Sequence, residues 1–152
     1  MTRNENKQLS LGIDVGSTTV KVVLLEGEEI LYQEYQRHMS QVRQKTLELL
    51  QQAAPFIGDR PFTVALSGSA GLGLAESVGI PFVQEVFATG EVVKRLEPDT
   101  SAVIELGGED AKIIFFDGGM EERMNGSCAG GTGAFIDQMA TLMNVTVNEL
   151  DE

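Results

Sequence analysis

One short pattern occurs twice in this chain: an apolar run ends at an acidic residue, a glycine-rich turn follows, and a second apolar run comes next. The first copy lies at residues 13–21 and the second at residues 104–112. Two β-type runs joined by a glycine-rich turn predict a β-hairpin. Either copy alone is compatible with an ordinary hairpin that carries a solvated carboxylate. Both copies together, with a strand and helices between them, favour two hairpins that face each other across a cleft and hold phosphate groups.

The first turn carries the residue types that a phosphate requires. Gly16 allows close approach of the backbone, and three hydroxyl side chains follow it in the turn: Ser17, Thr18 and Thr19. Asp14 ends the strand, where a carboxylate can bind Mg²⁺ through water. Lys21 lies two residues beyond the turn and can reach a phosphate or pair with an acid. These features make a nucleotide the first ligand to consider.

The second turn repeats this arrangement with Gly107 and Gly108, which Glu105 and Asp110 flank. Opposed carboxylates suit metal-assisted phosphoryl chemistry, in which catalysis is mostly positioning and charge neutralisation. The chain contains no Walker-type GxxxxGK[ST] loop, so the nucleotide site is of another kind.

The order of apolar patterns predicts a mixed α/β fold of the ribonuclease-H-like type, with a mixed sheet and flanking helices. Strands are predicted at residues 9–15, 20–25, 29–36, 62–66, 102–105 and 112–116. Helices are predicted at residues 40–54, 72–78, 87–96 and 134–143. Pro55, Gly58 and Pro61 are expected to end the first helix, and the strand at residues 62–66 is expected in a parallel pairing because it is almost continuously apolar.

The charge and the apolar pattern of the chain limit the classes of function that it can have. A net charge of −12 argues against a nucleic-acid partner. The chain has neither a signal-peptide pattern nor an apolar run of membrane-spanning length, which predicts a cytoplasmic protein without a membrane partner. Residues 1–8 are expected to form a disordered tail. The Thr146–Glu149 segment is a capping box that opens a helix close to residue 152, so we expect an N-terminal lobe of a longer protein, with a second lobe after residue 152.

Cys128 is the only cysteine of the chain, and it lies in a loop of small residues before a predicted helix. A helix N-terminus lowers the pKa of a thiol and favours an anion. The cysteine is therefore either a small apolar side chain in a turn or a thiolate ligand of an iron–sulfur cluster. One cysteine cannot complete a cluster that requires four thiolates, so further ligands would come from elsewhere.

These segments resemble the BadF/BadG/BcrA/BcrD-type ATPases, which include the activators (activases) of 2-hydroxyacyl-CoA dehydratases and the benzoyl-CoA reductase ATPase subunits. The family is part of the actin, sugar kinase and heat-shock ATPase superfamily. The resemblance covers nearly the whole chain, and four stretches carry it: residues 12–21, 84–86, 105–112 and 125–135. The last stretch is the most specific, because the wider superfamily lacks its cysteine.

The resemblance implies a homodimer that binds one ATP or ADP with Mg²⁺ in each subunit and shares one [4Fe-4S] cluster. ATP hydrolysis then drives a low-potential electron onto a dehydratase or reductase. Asp14, Glu85 and Glu105 match the catalytic acids, and Cys128 matches a cluster ligand. The cofactor-binding positions that match are Gly16, Ser17, Thr18, Thr19, Lys21, Gly107, Gly108, Asp110, Gly131, Thr132 and Gly133.

The chain also departs from the family pattern. The second phosphate turn begins with Glu105 where the family more often has Asp, and Ser127 and Gly126 replace the usual Lys and Asp before Cys128. The second cluster cysteine is expected after residue 152, so this stretch alone should neither complete a cluster nor hydrolyse ATP well. Two alternatives remain open: a small-molecule kinase of the same superfamily, and a regulator that binds nucleotide without turnover. His38 is expected to be a surface residue or to enter the first helix.

Overall fold

The structure is a computed structural model that describes residues 8–125 and 132–151. The chain divides into two compact units, Met1–Glu85 and Val86–Glu152. The predicted mixed α/β class is confirmed, with strands in two sheets and helices beside them. Among the described residues, no helix is both long enough and apolar enough to span a membrane.

The first unit is built on a four-stranded sheet with the order β3-β2-β1-β4. Its strands are β1 (Leu9–Val15), β2 (Thr19–Glu26), β3 (Glu29–Arg37) and β4 (Phe62–Ser67). The first three form an antiparallel meander, whereas β4 pairs with β1 in parallel, as the sequence predicts. In β1, buried side chains alternate with more exposed ones, because successive residues of a strand point to opposite faces.

Two helices accompany this sheet: α1 (Val42–Ile57) and α2 (Leu72–Val78). Helix α1 buries Leu49 and Ala53 among the apolar side chains of β1 and β2. The predicted end of α1 at residue 54 is three residues too early, because the helix continues through Pro55 to Ile57 and ends before Gly58, one of the three residues expected to end it. Its end is set by Gly58, which has a φ of 60° and donates its N–H to the Ala54 carbonyl at 3.0 Å.

The second unit contains a three-stranded antiparallel sheet with the order β5-β6-β7. Its strands are β5 (Ala102–Leu106), β6 (Ala111–Phe115) and β7 (Glu121–Met124). Helix α3 (Glu85–Leu96) starts at the boundary between the units, and α4 (Gly133–Met143) precedes a 3-10 turn at Val147–Asp151. Strand β7 was not predicted, because its exposed charged side chains resemble a turn in sequence.

Half of the predicted capping box forms, and it opens a 3-10 turn: the Glu149 side chain reaches back to the Thr146 N–H, but the Glu149 N–H donates to the Thr146 carbonyl and not to its hydroxyl. The Glu149 carboxylate accepts hydrogen bonds from the Thr146 N–H and from the Thr146 hydroxyl, both at 2.7 Å. These bonds hold the pKa of Glu149 below its ordinary value, because they favour the ionised form.

Candidate functional site

The first acidic hairpin, residues 14–21, joins β1 to β2. Its turn is closed by a hydrogen bond from the Gly16 N–H to the Thr19 carbonyl at 2.9 Å. The antiparallel register puts Asp14 opposite Lys21. The Lys21 Nζ donates to Asp14 Oδ2 at 2.6 Å, so acid and base form an ion pair across the base of the turn.

Three groups act on the charge of Lys21. Partial burial lowers the pKa of its ammonium, but the hydrogen bond and the negative charge of Asp14 outweigh that effect and leave the pKa raised. Tyr35, whose ring centre lies 5.5 Å from Nζ, and Glu85 add smaller contributions in the same direction. Lys21 is therefore held as a cation, and the structure brings the carboxylate of Glu85 within electrostatic range of this hairpin.

The parallel strand β4 completes the surroundings of Asp14. Its last residue, Ser67, is in register with Asp14. Asp14 Oδ1 and the Ser67 hydroxyl are both buried and have no hydrogen-bond partner among the described residues. Buried polar atoms without a partner are uncommon in folded proteins and need an explanation such as an ion, water or ligand.

Gly68 packs directly against the end of β1 and the Asp14 carboxylate. Its φ of 93° is rarely adopted by other residues, and a Cβ here would lie 2.5 Å from Asp14 Oδ1 and closer still to the Val15 carbonyl oxygen. The Val15 carbonyl accepts the Ala70 N–H at 2.9 Å, which fixes the turn after β4 against the end of β1. A side chain at residue 68 would therefore collide with the end of β1 and with the carboxylate.

The second acidic hairpin, residues 105–112, has the same construction in the second unit. Its turn is closed by the Gly107 N–H, which donates to the Asp110 carbonyl at 2.8 Å. Glu105 lies opposite Lys112 in the antiparallel register. The Lys112 Nζ is 3.6 Å from Glu105 Oε1 and 3.8 Å from Asp110 Oδ2. Lys112 is only 4% exposed, so its charge is held between two carboxylates in a largely buried position.

Helix α4 begins against this second hairpin. The Gly133 N–H donates to the Gly107 carbonyl at 2.8 Å, and the Ala134 N–H donates to the Gly108 carbonyl at 3.0 Å. A Cβ on Gly133 would approach the Gly107 oxygen to 3.2 Å, so glycine permits this close contact. Thr132, directly before the helix, is fully buried, and its hydroxyl has no hydrogen-bond partner among the described residues.

The structure thus groups the predicted site residues around two hairpins. Asp14, Lys21 and Glu85 belong to the surroundings of the first hairpin, together with the turn residues Gly16, Ser17, Thr18 and Thr19. The surroundings of the second hairpin contain Glu105, Gly107, Gly108, Asp110, Thr132 and Gly133. Gly131 and Cys128 lie outside the described residues. Within the described ranges, no three His, Cys, Asp or Glu side chains cluster in a way that could hold a metal ion by themselves.

Three residues of these surroundings were missed in the sequence. Lys112 corresponds to Lys21, and aligning the two hairpins residue by residue would have revealed it. Ser67 and Gly68 lie in a segment whose sequence fits a phosphate contact and a strand-to-helix turn equally well, and only the parallel pairing of β4 with β1 brings them to Asp14. No local sequence signal identifies that pairing partner.

The mixed sheets, their flanking helices and the two acidic hairpins are of the actin, sugar kinase and heat-shock ATPase fold type. Residues 11–152 match the BadF/BadG/BcrA/BcrD ATPase family, and the chain belongs to this family. It is 32% identical over 149 residues to the (R)-2-hydroxyglutaryl-CoA dehydratase activating ATPase of Acidaminococcus fermentans, covering 94% of this chain and 56% of that protein.

Solved structures agree with the family assignment. The activator of the 2-hydroxyisocaproyl-CoA dehydratase from Clostridium difficile with bound ADPNP superposes with a TM-score of 0.79 at 29% identity, over 94% of this chain and 55% of that chain. The ethanolamine utilization protein EutJ from Carboxydothermus hydrogenoformans shares the fold, with a TM-score of 0.64 at 14% identity, over 94% of this chain and 60% of that chain. The chain spans about half the length of the curated relatives it matches.

Proposed function

We propose that this chain is the N-terminal lobe of an ATP-hydrolysing iron–sulfur activator. The complete protein would drive low-potential electron transfer to a 2-hydroxyacyl-CoA dehydratase or a benzoyl-CoA-type reductase. The observation that carries the proposal is the repeated acidic hairpin, which has the same turn closure and the same acid–lysine register in both units. Family membership and relatives that are named as dehydratase activators support the choice of activity.

Each hairpin is proposed to be a phosphate-binding turn of the ATP function. In the first, Gly16 admits the phosphate to the backbone and Ser17, Thr18 and Thr19 supply hydroxyl donors. Gly107 and Gly108 serve the second in the same way, with Asp110 beside them. Phosphate oxygens need several donors and little steric bulk, and both turns provide these properties. The bound ADPNP of the Clostridium difficile activator structure supports a nucleotide as the ligand.

Mg²⁺ fits the residues around the first hairpin. The ion prefers oxygen ligands and retains several waters, so one carboxylate with phosphate oxygens is a sufficient protein contribution. Asp14 presents a buried Oδ1 that has no partner among the described residues, while its Oδ2 is held by Lys21. When bound, the ion would neutralise charge on the phosphates.

The acidic residues have distinct proposed roles in hydrolysis. Asp14 holds a magnesium-bound water, and Glu85 orients the metal or the attacking water. Glu105, held by the buried Lys112, plays the matching role at the second hairpin. Thr132 and Gly133, with Gly131 before them, complete the phosphate surroundings at the start of α4.

The electron-transfer part of the proposal depends on Cys128. In this proposal the thiolate is one ligand of a [4Fe-4S] cluster that is shared across a homodimer, and the cluster supplies the one-electron chemistry. The loop of Cys128 lies outside the described residues, so its support is the resemblance of residues 125–135 to the activators.

The test uses the complete protein, reconstituted anaerobically with iron and sulfide. We expect about four irons per dimer in the wild type and their loss in Cys128→Ser. We also expect ATP hydrolysis without an added small-molecule substrate, reduced at least about tenfold in Glu105→Gln. Glu122→Gln is the matched control, because it makes the same change on an exposed residue of β7 in the same unit.

Each alternative gives a different outcome. ADP release only after addition of a phosphoryl acceptor, with no cluster in the wild type, would identify a kinase. Tight ATP binding without turnover would identify a regulator. Wild-type protein that binds no Mg-ATP would refute the nucleotide-binding part of the proposal.

A further inference from the structure

His38 lies beside the turn of the first acidic hairpin. It directly follows β3, and its backbone N–H donates to the Thr18 carbonyl at 3.1 Å, which extends the β2–β3 pairing into the turn. The residue is only 5% exposed. The predicted surface position is therefore wrong, because the side chain folds back toward the turn. The predicted helix entry agrees with the structure, since the His38 carbonyl accepts the N–H of Gln41, the N-cap residue of α1, at 2.7 Å.

Both ring nitrogens of His38 make hydrogen bonds. Nε2 lies 3.1 Å from the Gly16 carbonyl oxygen, and Nδ1 lies 3.1 Å from the backbone nitrogen of Ser40. A carbonyl oxygen only accepts hydrogen bonds, so Nε2 must carry a proton. The Ser40 N–H only donates, so Nδ1 must be unprotonated. The two contacts together require the neutral ring with its proton on Nε2.

The bond to Gly16 orients a complete peptide group. The Gly16 carbonyl and the Ser17 N–H belong to the same planar trans peptide and point in opposite directions. When His38 holds the Gly16 oxygen on its own side, the Ser17 N–H must point to the other side, away from the ring. A rotation of this peptide by half a turn would replace that donor with an acceptor, which repels a phosphate.

The backbone after His38 is strained in a way that maintains this arrangement. Met39 and Ser40 both have positive φ values, 46° and 63°, although neither is glycine. Such conformations persist in non-glycine residues when the surrounding structure requires them, and they cluster at functional sites. Here the two residues turn the chain so that the Ser40 N–H reaches Nδ1 of His38.

We infer that His38 is a positioning residue that locks the Gly16–Ser17 peptide with the Ser17 N–H turned outward for a phosphate of the nucleotide. The identity of the ligand rests on the proposed ATP function, whereas the orientation of the Gly16–Ser17 peptide by His38 does not. His38 would touch no phosphate and would act only through the turn.

Two substitutions separate the two ring contacts. In His38→Asn, the side-chain oxygen can replace Nδ1 as acceptor for Ser40, but nothing reaches Gly16. In His38→Gln, the longer amide can place its nitrogen near the position of Nε2 and donate to the Gly16 oxygen. We expect Asn to weaken Mg-ATP binding by about fivefold to tenfold, and Gln to restore most of the wild-type affinity.

Affinities would be measured by calorimetric titration of the complete protein with Mg-ATP, and denaturant midpoints would be measured for all three proteins. Weaker binding by the Asn variant at an unchanged midpoint, with rescue by Gln, supports the inference. Equal affinity of wild type and the Asn variant overturns it. If neither variant folds, the protonation of the two ring nitrogens of His38, measured in the wild type, supports or overturns the inference.

That measurement uses ¹⁵N chemical shifts of the ring at about pH 8, where an ordinary imidazole is neutral. Replacing the other histidines of the complete protein one at a time assigns the His38 signals by elimination, so no His38 variant is needed. A protonated Nε2 with an unprotonated Nδ1 supports the inference, and the opposite tautomer overturns it whether or not ATP binds. A wild type with the expected tautomer but no Mg-ATP binding would instead refute the proposed function.

Discussion

Substitution of Gly68 tests quantitatively how closely residue 68 packs against Asp14. A Gly68→Ala substitution would add a methyl group that overlaps the Val15 carbonyl oxygen and lies 2.5 Å from Asp14 Oδ1. The added group also stands on a backbone with a φ of 93°, where side chains are disfavoured. Two separate penalties are therefore expected at this position, and both act on the folded state.

Other glycines of the same unit allow each penalty to be measured separately. Gly79 has a φ of 70° but nothing within 4 Å of an added Cβ, so Gly79→Ala reports the backbone penalty alone. Gly73 lies inside α2 with open space around it, so Gly73→Ala carries neither penalty. All three changes add the same atoms and differ only in their surroundings.

The expected magnitudes follow from these surroundings. Gly73→Ala should raise the free energy of unfolding by about 0.5–1 kcal/mol, because alanine favours the helix. Gly79→Ala should lower it by about 1–2 kcal/mol, the penalty for a left-handed L residue. Gly68→Ala adds an overpacking penalty of about 1–3 kcal/mol and should lower it by about 2–5 kcal/mol in total.

The assay is urea unfolding followed by tyrosine fluorescence. The chain contains no tryptophan and two tyrosines, Tyr32 and Tyr35, so its emission reports the unit that holds these glycines. Mg-ATP affinity would be measured in parallel, and Gly68→Ala should weaken it more than Gly79→Ala does. A Gly68→Ala protein as stable as Gly79→Ala would refute the close packing of residue 68 against Asp14 and Val15.

Three further predictions concern the charged and buried groups. Lys112→Met should lower the free energy of unfolding by about 1–3 kcal/mol, because it removes the buried cation between the carboxylates of Glu105 and Asp110. Lys45→Met, which breaks the more exposed ion pair of Lys45 with Glu48 on α1, should change it by less than about 1 kcal/mol, and denaturant midpoints compare the two variants. Thr132→Val should leave the stability nearly unchanged, because its hydroxyl has no partner among the described residues, but should weaken Mg-ATP binding in a titration. The pKa of Lys21 is raised in the folded state, so its ion pair stabilises the protein fully at neutral pH and loses this effect as the pH rises through the folded pKa. The difference in Tm between wild type and Lys21→Met should therefore shrink above about pH 10.5.

Much of the fold follows from local sequence patterns. The bounds of β1 agree with the predicted strand, because its alternation of buried and exposed side chains is visible in the sequence. The predicted end of α1 was three residues early, since a proline near a helix C-terminus removes only one hydrogen bond; Gly58, which was also expected to end the helix, sets the end. Strand β7 has no apolar pattern of its own and is a strand only because it pairs with β6. It was therefore not predicted from the sequence.

The candidate site also has a part that local sequence predicts and a part that it does not. The acid, glycines and lysine of the first hairpin are close in sequence, so their grouping was predictable. Ser67 and His38 reach the same turn only through the pairing of β4 with β1 and of β3 with β2. Such long-range pairings depend on the whole sheet, and a single sequence without relatives carries no direct record of them.

The short sequence distance within each hairpin also bears on the order in which the molecule assembles. Asp14 and Lys21 are seven residues apart, whereas the parallel pairing of β1 with β4 joins Leu9 to Phe62. Closing a long loop costs more entropy than closing a short one and slows folding. The ion-paired turns can therefore form early and locally, while Ser67 and Gly68 arrive only when the parallel strand docks. The surroundings of Asp14 are complete only once β4 has docked on β1, so a chain that has formed the hairpin alone would carry its charges without the serine and the glycine that lie beside them.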